Sequence, residues 1–172
     1  EDPDFFHSAG PLRGRKTTMY EGGIRVPMIA RWPGHIAPGK TDDLPWYFAD
    51  FMPTAAELAG AKAPSGIDGM SVVPALLGGS QKRHEFMYWE LPTYQAKTGT
   101  FARGAPLAAV RMGDWKAVRP KLDAPLELYN LAKDIGETKN VASENPKVME
   151  KIETYLKTAR TAKPWEAGPT MR

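Results

Sequence analysis

The chain has 172 residues, 42% hydrophobic and 25% charged, with a formal net charge of +3. That is enough for one domain with its own core and too little for two comfortable ones. The charge is too mild for the dense basic stripe of a nucleic-acid binder, and the absence of cysteine excludes disulfides, thiolate metal sites and a cysteine nucleophile.

No apolar run reaches the length of a membrane helix. The first residues, Glu1-Asp2-Pro3-Asp4, form a polar start without Met or leader, and Lys163 to Arg172 form a tail containing Pro and Gly. Both ends read as those of a piece taken from a longer protein. Residues 1–23 read as loop, broken by Pro3, Gly10, Pro11, Gly14, Gly22 and Gly23. Ile24 to Trp32 ("IRVPMIARW") is apolar enough for a buried strand, with Pro27 placing its early part at an edge or at the strand start.

A helix is expected next, with Asp50 as N-cap, Pro53 in the first turn and Gly60 at the C-cap. Its apolar face would be Phe51, Met52, Ala55, Leu58 and Ala59. Val72 to Leu77 predicts one or two helical turns. Strands are predicted at Phe86–Glu90, Leu107–Arg111, Trp115–Val118 and Leu126–Tyr129. A tight hairpin in "RMGDWK" would be turned by Gly113. Residues 91–106 form a long loop, a frequent carrier of function. The last element has Asn145 as cap, Pro146 as opener, and Val148, Met149, Ile152, Tyr155, Leu156 and Ala159 on one face. The C-terminal two-thirds therefore predicts an α+β unit: an antiparallel sheet of about four strands covered by an amphipathic helix.

The stretch Gly10 to Pro27, "GPLRGRKTTMYEGGIRVP", carries Arg13, Arg15, Lys16 and Arg25 among four glycines. It is not a phosphate-cradling P-loop. Gly10 and Gly14 are three residues apart, Arg15 precedes Lys16-Thr17, and the flanking strand and helix are missing. Solvated loop charge is the ordinary state of Arg15 and Lys16. Against it stand the surrounding glycines, which let backbone pack closely against a ligand or another segment. Glu21 and Arg25, four apart, are expected to pair with each other or with Asp50 as structural residues. Gly22 and Gly23 would be architecture that seats Lys16.

With "DFMPTAAELAG", "GIDGMSVVPALLGG", "MYWE", "AVRMGDWKAV" and "ELYNLAKDIGETKNVASENP", this stretch resembles the C-terminal part of the type I sulfatases, of the alkaline-phosphatase-like superfamily, over nearly the whole chain. The resemblance implies an α/β parent fold. Residues 1–80 would end its large domain, and 81–172 would form a small α+β subdomain. It implies hydrolysis of sulfate esters by a formylglycine nucleophile with a divalent metal, usually calcium. No Cys/Ser-x-Pro-x-Arg motif and no Asp-Asn-Gly segment is present, so no metal ligand and no independent activity is expected of this chain.

By the resemblance, Lys16 is the lysine that contacts the sulfate and steadies charge on the leaving oxygen. Arg13 and Arg15 beside it either touch ligand or hold the fold. His7 is a pocket candidate. Tyr94, Lys97 and Arg103 make residues 91–106 either a substrate-selecting segment or a surface excursion. His35 and His84 read as solvated. The implied partners are a sulfated small molecule or glycan and the upstream part of the same enzyme. An unpaired strand at 24–32 would also favour self-association. A periplasmic or secreted bacterial location follows from the family. The rival readings are a related metallo-phosphatase or phosphodiesterase and a non-catalytic module for sulfated ligands.

Overall fold

The computed structural model describes residues 5–160, so the two polar ends singled out in the sequence lie outside the described residues. The elements run α1 (Glu21–Ile24), α2 (Phe48–Leu58), α3 (Val73–Leu76), β1 (Met87–Leu91), β2 (Tyr94–Gln95), β3 (Thr100–Phe101), β4 (Leu107–Met112), β5 (Trp115–Arg119), β6 (Glu127–Asn130), a 3-10 turn (Ala142–Glu144) and α4 (Pro146–Leu156). They divide into two compact units, Glu1–Arg25 with Tyr88–Arg172 and Val26–Met87.

The first unit holds the expected sheet, a four-stranded array in the order β1-β4-β5-β6 with β4, β5 and β6 antiparallel. Met112 pairs with Trp115 across a two-residue turn. Only Gly113 of that turn has positive φ, as a type II′ hairpin requires. The register puts Ala109, Lys116, Val118 and Tyr129 on one face and Ala108, Val110, Ala117 and Leu128 on the other, all of them buried. Met19, Tyr20 and Ile24 pack against the first face. The C-terminal helix α4 opens at Pro146 after Asn145 with Ile152 wholly buried; Lys147, Lys151 and Lys157 face water, whereas Arg160 Nε, past the helix, lies 3.0 Å from Glu90 Oε2. Val118, Leu128 and Ile152 each contribute about 1.5–3 kcal/mol by leaving water. Residues 91–106 are not all loop, because β2 and β3 form an exposed hairpin pairing Tyr94 with Phe101 and Gln95 with Thr100.

The second unit departs further from expectation. Ile24 ends α1, and residues 25–32 form no strand; Ile29 is 91% exposed. A strand exists only through its neighbour's hydrogen bonds, and no described strand lies alongside this segment. Pro27 also lacks the N–H that pairing needs. In α2 the expected apolar face is outside: Phe51, Met52 and Leu58 are exposed, whereas Asp50, Pro53 and Thr54 are buried. Asp50 is not the N-cap but the third helical residue, and its Oδ2 accepts the N–H of Tyr47, the true N-cap, at 3.1 Å. Its Oδ1 accepts Met70 N–H at 2.9 Å and sits 2.7 Å from His84 Nε2. Thr54 Oγ1 accepts Val72 N–H at 3.0 Å. The helix is thus pinned by polar groups to Met70, Val72 and His84, while Phe51, Met52 and Leu58 stay exposed. His84, read as solvated, is one of these pins and lies edge-on to Tyr47. His35 is an exposed loop residue stacked on Trp32. Gly60 and Gly78, both left-handed, end α2 and α3: Gly60 and Ala61 donate to Glu57 and Ala56, Gly78 and Gly79 to Ala75 and Pro74.

Candidate functional site

Lys16 stands at the tip of a tight turn. The Arg15 carbonyl accepts Thr18 N–H at 3.0 Å and the Thr18 hydroxyl at 2.8 Å, and Thr17 takes a left-handed φ of 77°. Lys16 is exposed, and among the described residues nothing pairs with its ammonium. Beside the turn lies an open concavity of about 530 Å³ lined by His7, Gly10, Leu12, Gly14, Arg15 and Thr18. His7 and Arg15 thus line the same hollow, and Lys16 flanks it. Tyr94 and Arg103, also exposed, belong to the separate β2–β3 hairpin region and do not line it.

The turn rests on the two glycines of α1. A Cβ on Gly22 would strike the carbonyl oxygens of Arg13 and Gly14, and one on Gly23 those of Arg15 and Thr18. Gly22 N–H donates to Arg13 O at 2.8 Å. Only a residue without a side chain lets the two backbone segments come this close.

Beneath the turn is a buried charged network absent from the sequence-based expectations. Lys116 Nζ, wholly buried on β5, lies 2.8 Å from Glu21 Oε1 and 3.0 Å from Glu137 Oε1. Glu21 N–H donates to Glu137 Oε2 at 2.6 Å. Arg25 pairs with Glu21 at 3.7 Å as expected, but Lys116 is the closer partner. Asp50 is instead committed to Tyr47, Met70 and His84. Burial pushes the Glu137 carboxyl above its ordinary range against the pull of Lys116.

Arg13 is tied into the same layer. Its Nη1 donates to the Tyr129 hydroxyl and to the Glu137 carbonyl, both at 2.8 Å, and its guanidinium lies 4.0 Å from the centre of the Tyr20 ring. Of its two anticipated roles, these contacts serve the one that holds the fold. The hydroxyls of Tyr20 and Tyr129 both donate to Glu127 Oε2 at 2.7 Å. Burial and that hydrogen bond push Tyr20 up to about 12 and raise Tyr129 as well. One signal for the network was available: a lysine between Trp115 and Ala117 in a buried strand must find a carboxylate. Glu137, in a turn between Gly136 and Thr138, gave none.

These residues do not fit a divalent cation. Among the described residues no three His, Asp or Glu side chains come together as a ligand set. The buried carboxylates Glu21 and Glu137 already close on the Lys116 ammonium.

The fold is that of sulfatases. A glycosaminoglycan-metabolism protein from Bacteroides thetaiotaomicron aligns with a TM-score of 0.69 at 23% identity, over 92% of this chain and 35% of its own. Ps i-CgsB, crystallised with k-i-k-neocarrahexaose, aligns with a TM-score of 0.69 at 31% identity, over 85% of this chain and 32% of its own. Residues 15–162 match the family of the N-sulphoglucosamine sulphohydrolase C-terminal domain, and the chain belongs to it. It is 36% identical to a sulfatase of Formosa agariphila over 90% of this chain and 37% identical to human arylsulfatase A over 84%. It spans 29% and 32% of the lengths of these two relatives.

Proposed function

We propose that this chain is the C-terminal part of a sulfuric-ester hydrolase and that it supplies Lys16 to the sulfate. The observation that carries the reading is the exposed, unpaired ammonium on a turn held by glycine contacts beside a hollow. Cleavage of a sulfate ester builds negative charge on the bridging oxygen as the S–O bond breaks. A cation already in place stabilises that charge without reorganising. The nucleophile, a formylglycine, and any calcium would come from residues outside this sequence, since the sequence holds no Cys/Ser-x-Pro-x-Arg motif and the described residues hold no ligand set. The likeness to Ps i-CgsB bound to k-i-k-neocarrahexaose supports a sulfated glycan as substrate.

The upstream part of the same polypeptide would close over the exposed Ile29, Phe48 and Phe51, with a second copy of the chain as the competing cover. Periplasmic or secreted placement extends the family reading, and cell fractionation checks it. In the enzyme containing this chain, Lys16→Ala is expected to lower kcat on an aryl sulfate by about a hundredfold or more with an unchanged melting temperature. A collapse of melting temperature with normal specific activity would contradict the role. The phosphatase alternative rests on a phosphonate monoester hydrolase from Silicibacter pomeroyi, with a TM-score of 0.58 at 24% identity, over 76% of this chain and 28% of its own. That likeness speaks for fold alone. Turnover of a phosphonate monoester exceeding that of the aryl sulfate would favour it.

A further inference from the structure

Three separate attachments of the Lys16 loop meet on one distant residue. The Glu137 carbonyl accepts Arg13 Nη1 at 2.8 Å, before the loop tip. Its Oε2 accepts the backbone N–H of Glu21 at 2.6 Å, after the tip. Its Oε1 lies 3.0 Å from Lys116 Nζ, which reaches Glu21 Oε1 from β5 at 2.8 Å. Glu137 itself is wholly buried and held at a φ of 51°, a conformation costly for a residue with a side chain. Its turn is fixed by Asp134, whose carboxylate accepts the N–H groups of Thr138 and Lys139 and the Thr138 hydroxyl.

We propose that Glu137 is a positioning residue for the reaction, setting the height and direction of Lys16 through Arg13 and Glu21. The inference rests on the reading of Lys16 given above. The two ends of the loop are pulled to one carboxylate and its own carbonyl. Gly22 N–H joins them by donating to Arg13 O at 2.8 Å, and the turn of residues 15–18 sits on Gly22 and Gly23. Any shift of Glu137 therefore moves both ends of the segment that carries the ammonium. Charge stabilisation by a fixed cation depends steeply on its placement, so a small displacement acts on the chemical step more than on binding.

The test is steady-state kinetics of the full enzyme on aryl sulfates whose leaving groups differ in basicity. Glu137→Gln keeps shape and removes charge. It is expected to lower kcat about ten- to a hundredfold, with KM nearly unchanged. The loss should be largest for the most basic leaving group, the same tilt expected of Lys16→Ala. In Lys16→Ala/Glu137→Gln the two losses should not multiply. A folded Glu137→Gln enzyme with normal kcat and an unaltered leaving-group dependence overturns the inference alone, and so do losses that multiply. Normal turnover in Lys16→Ala overturns the parent reading and this inference with it. Should Glu137→Gln not fold, Arg13→Gln carries the same expectation, because Arg13 is exposed and its replacement breaks the tie to the Glu137 carbonyl. A rise in KM alone there would mean direct ligand contact and would sink the proposal.

Discussion

Lys116 shows how a single side chain sets the terms for its neighbours. An ammonium with no exposure is tolerable only because Glu21 and Glu137 meet it, and two buried carboxylates are tolerable only because it lies between them. Three tyrosines of the same unit are held neutral by burial and carboxylate partners of their own. Burial, together with hydrogen bonds to Glu127 and Glu90, raises Tyr20, Tyr129 and Tyr88 above their ordinary 10.0, Tyr20 to about 12. In that range the folded state keeps protons that the unfolded chain gives up. For Tyr20 that stabilisation is therefore complete below pH 10.0 and is lost as pH rises towards about 12. Melting temperatures of the enzyme measured upward from neutral pH are expected to fall along this limb, and Tyr20→Phe should flatten it. An equal slope in that variant would remove Tyr20 from the account.

At the scale of elements, the turn of residues 134–139 stands out because it presents Glu137 without belonging to any strand or helix. Hydrogen bonding by Lys139 N–H, and then by the hydroxyl and N–H of Thr138, lowers the Asp134 carboxyl below its ordinary 3.8. That contribution is present above pH 3.8 and is lost as pH falls through the depressed value. Asp134→Asn should thus weaken the fold at neutral pH and make melting less sensitive to acid. An unchanged acid limb would show that the turn does not depend on this carboxylate. The β4–β5 hairpin and α4 were legible from sequence because a turn glycine and a 3.6-residue apolar period are local signals. The segment 24–32 and the apolar side of α2 were not, since a strand or a buried stripe is completed by what lies against it.

For the whole molecule, the sheet-bearing unit is closed on both faces, whereas residues 26–87 leave Ile29 and Phe48 exposed, by 91% and 85%. A surface that apolar calls for cover, and the chain spans only 29% and 32% of two related sulfatases. The 172-residue chain alone is accordingly expected to show no hydrolysis of an aryl sulfate, with or without added calcium. Turnover that survives stringent purification would refute this division of labour.

The family resemblance, the four strands of the sheet, the C-terminal helix and the loop that carries Lys16 were all readable from the chain. These follow from local spacing, turn chemistry and motif order. Only the tertiary contacts bring Arg13 to Tyr129 and the Glu137 carbonyl, His84 to Asp50, and Glu137 Oε2 to the Glu21 N–H. A buried charge takes its partners by proximity in space, and Glu21, Lys116 and Glu137 share no period in the chain that would bring them together on paper.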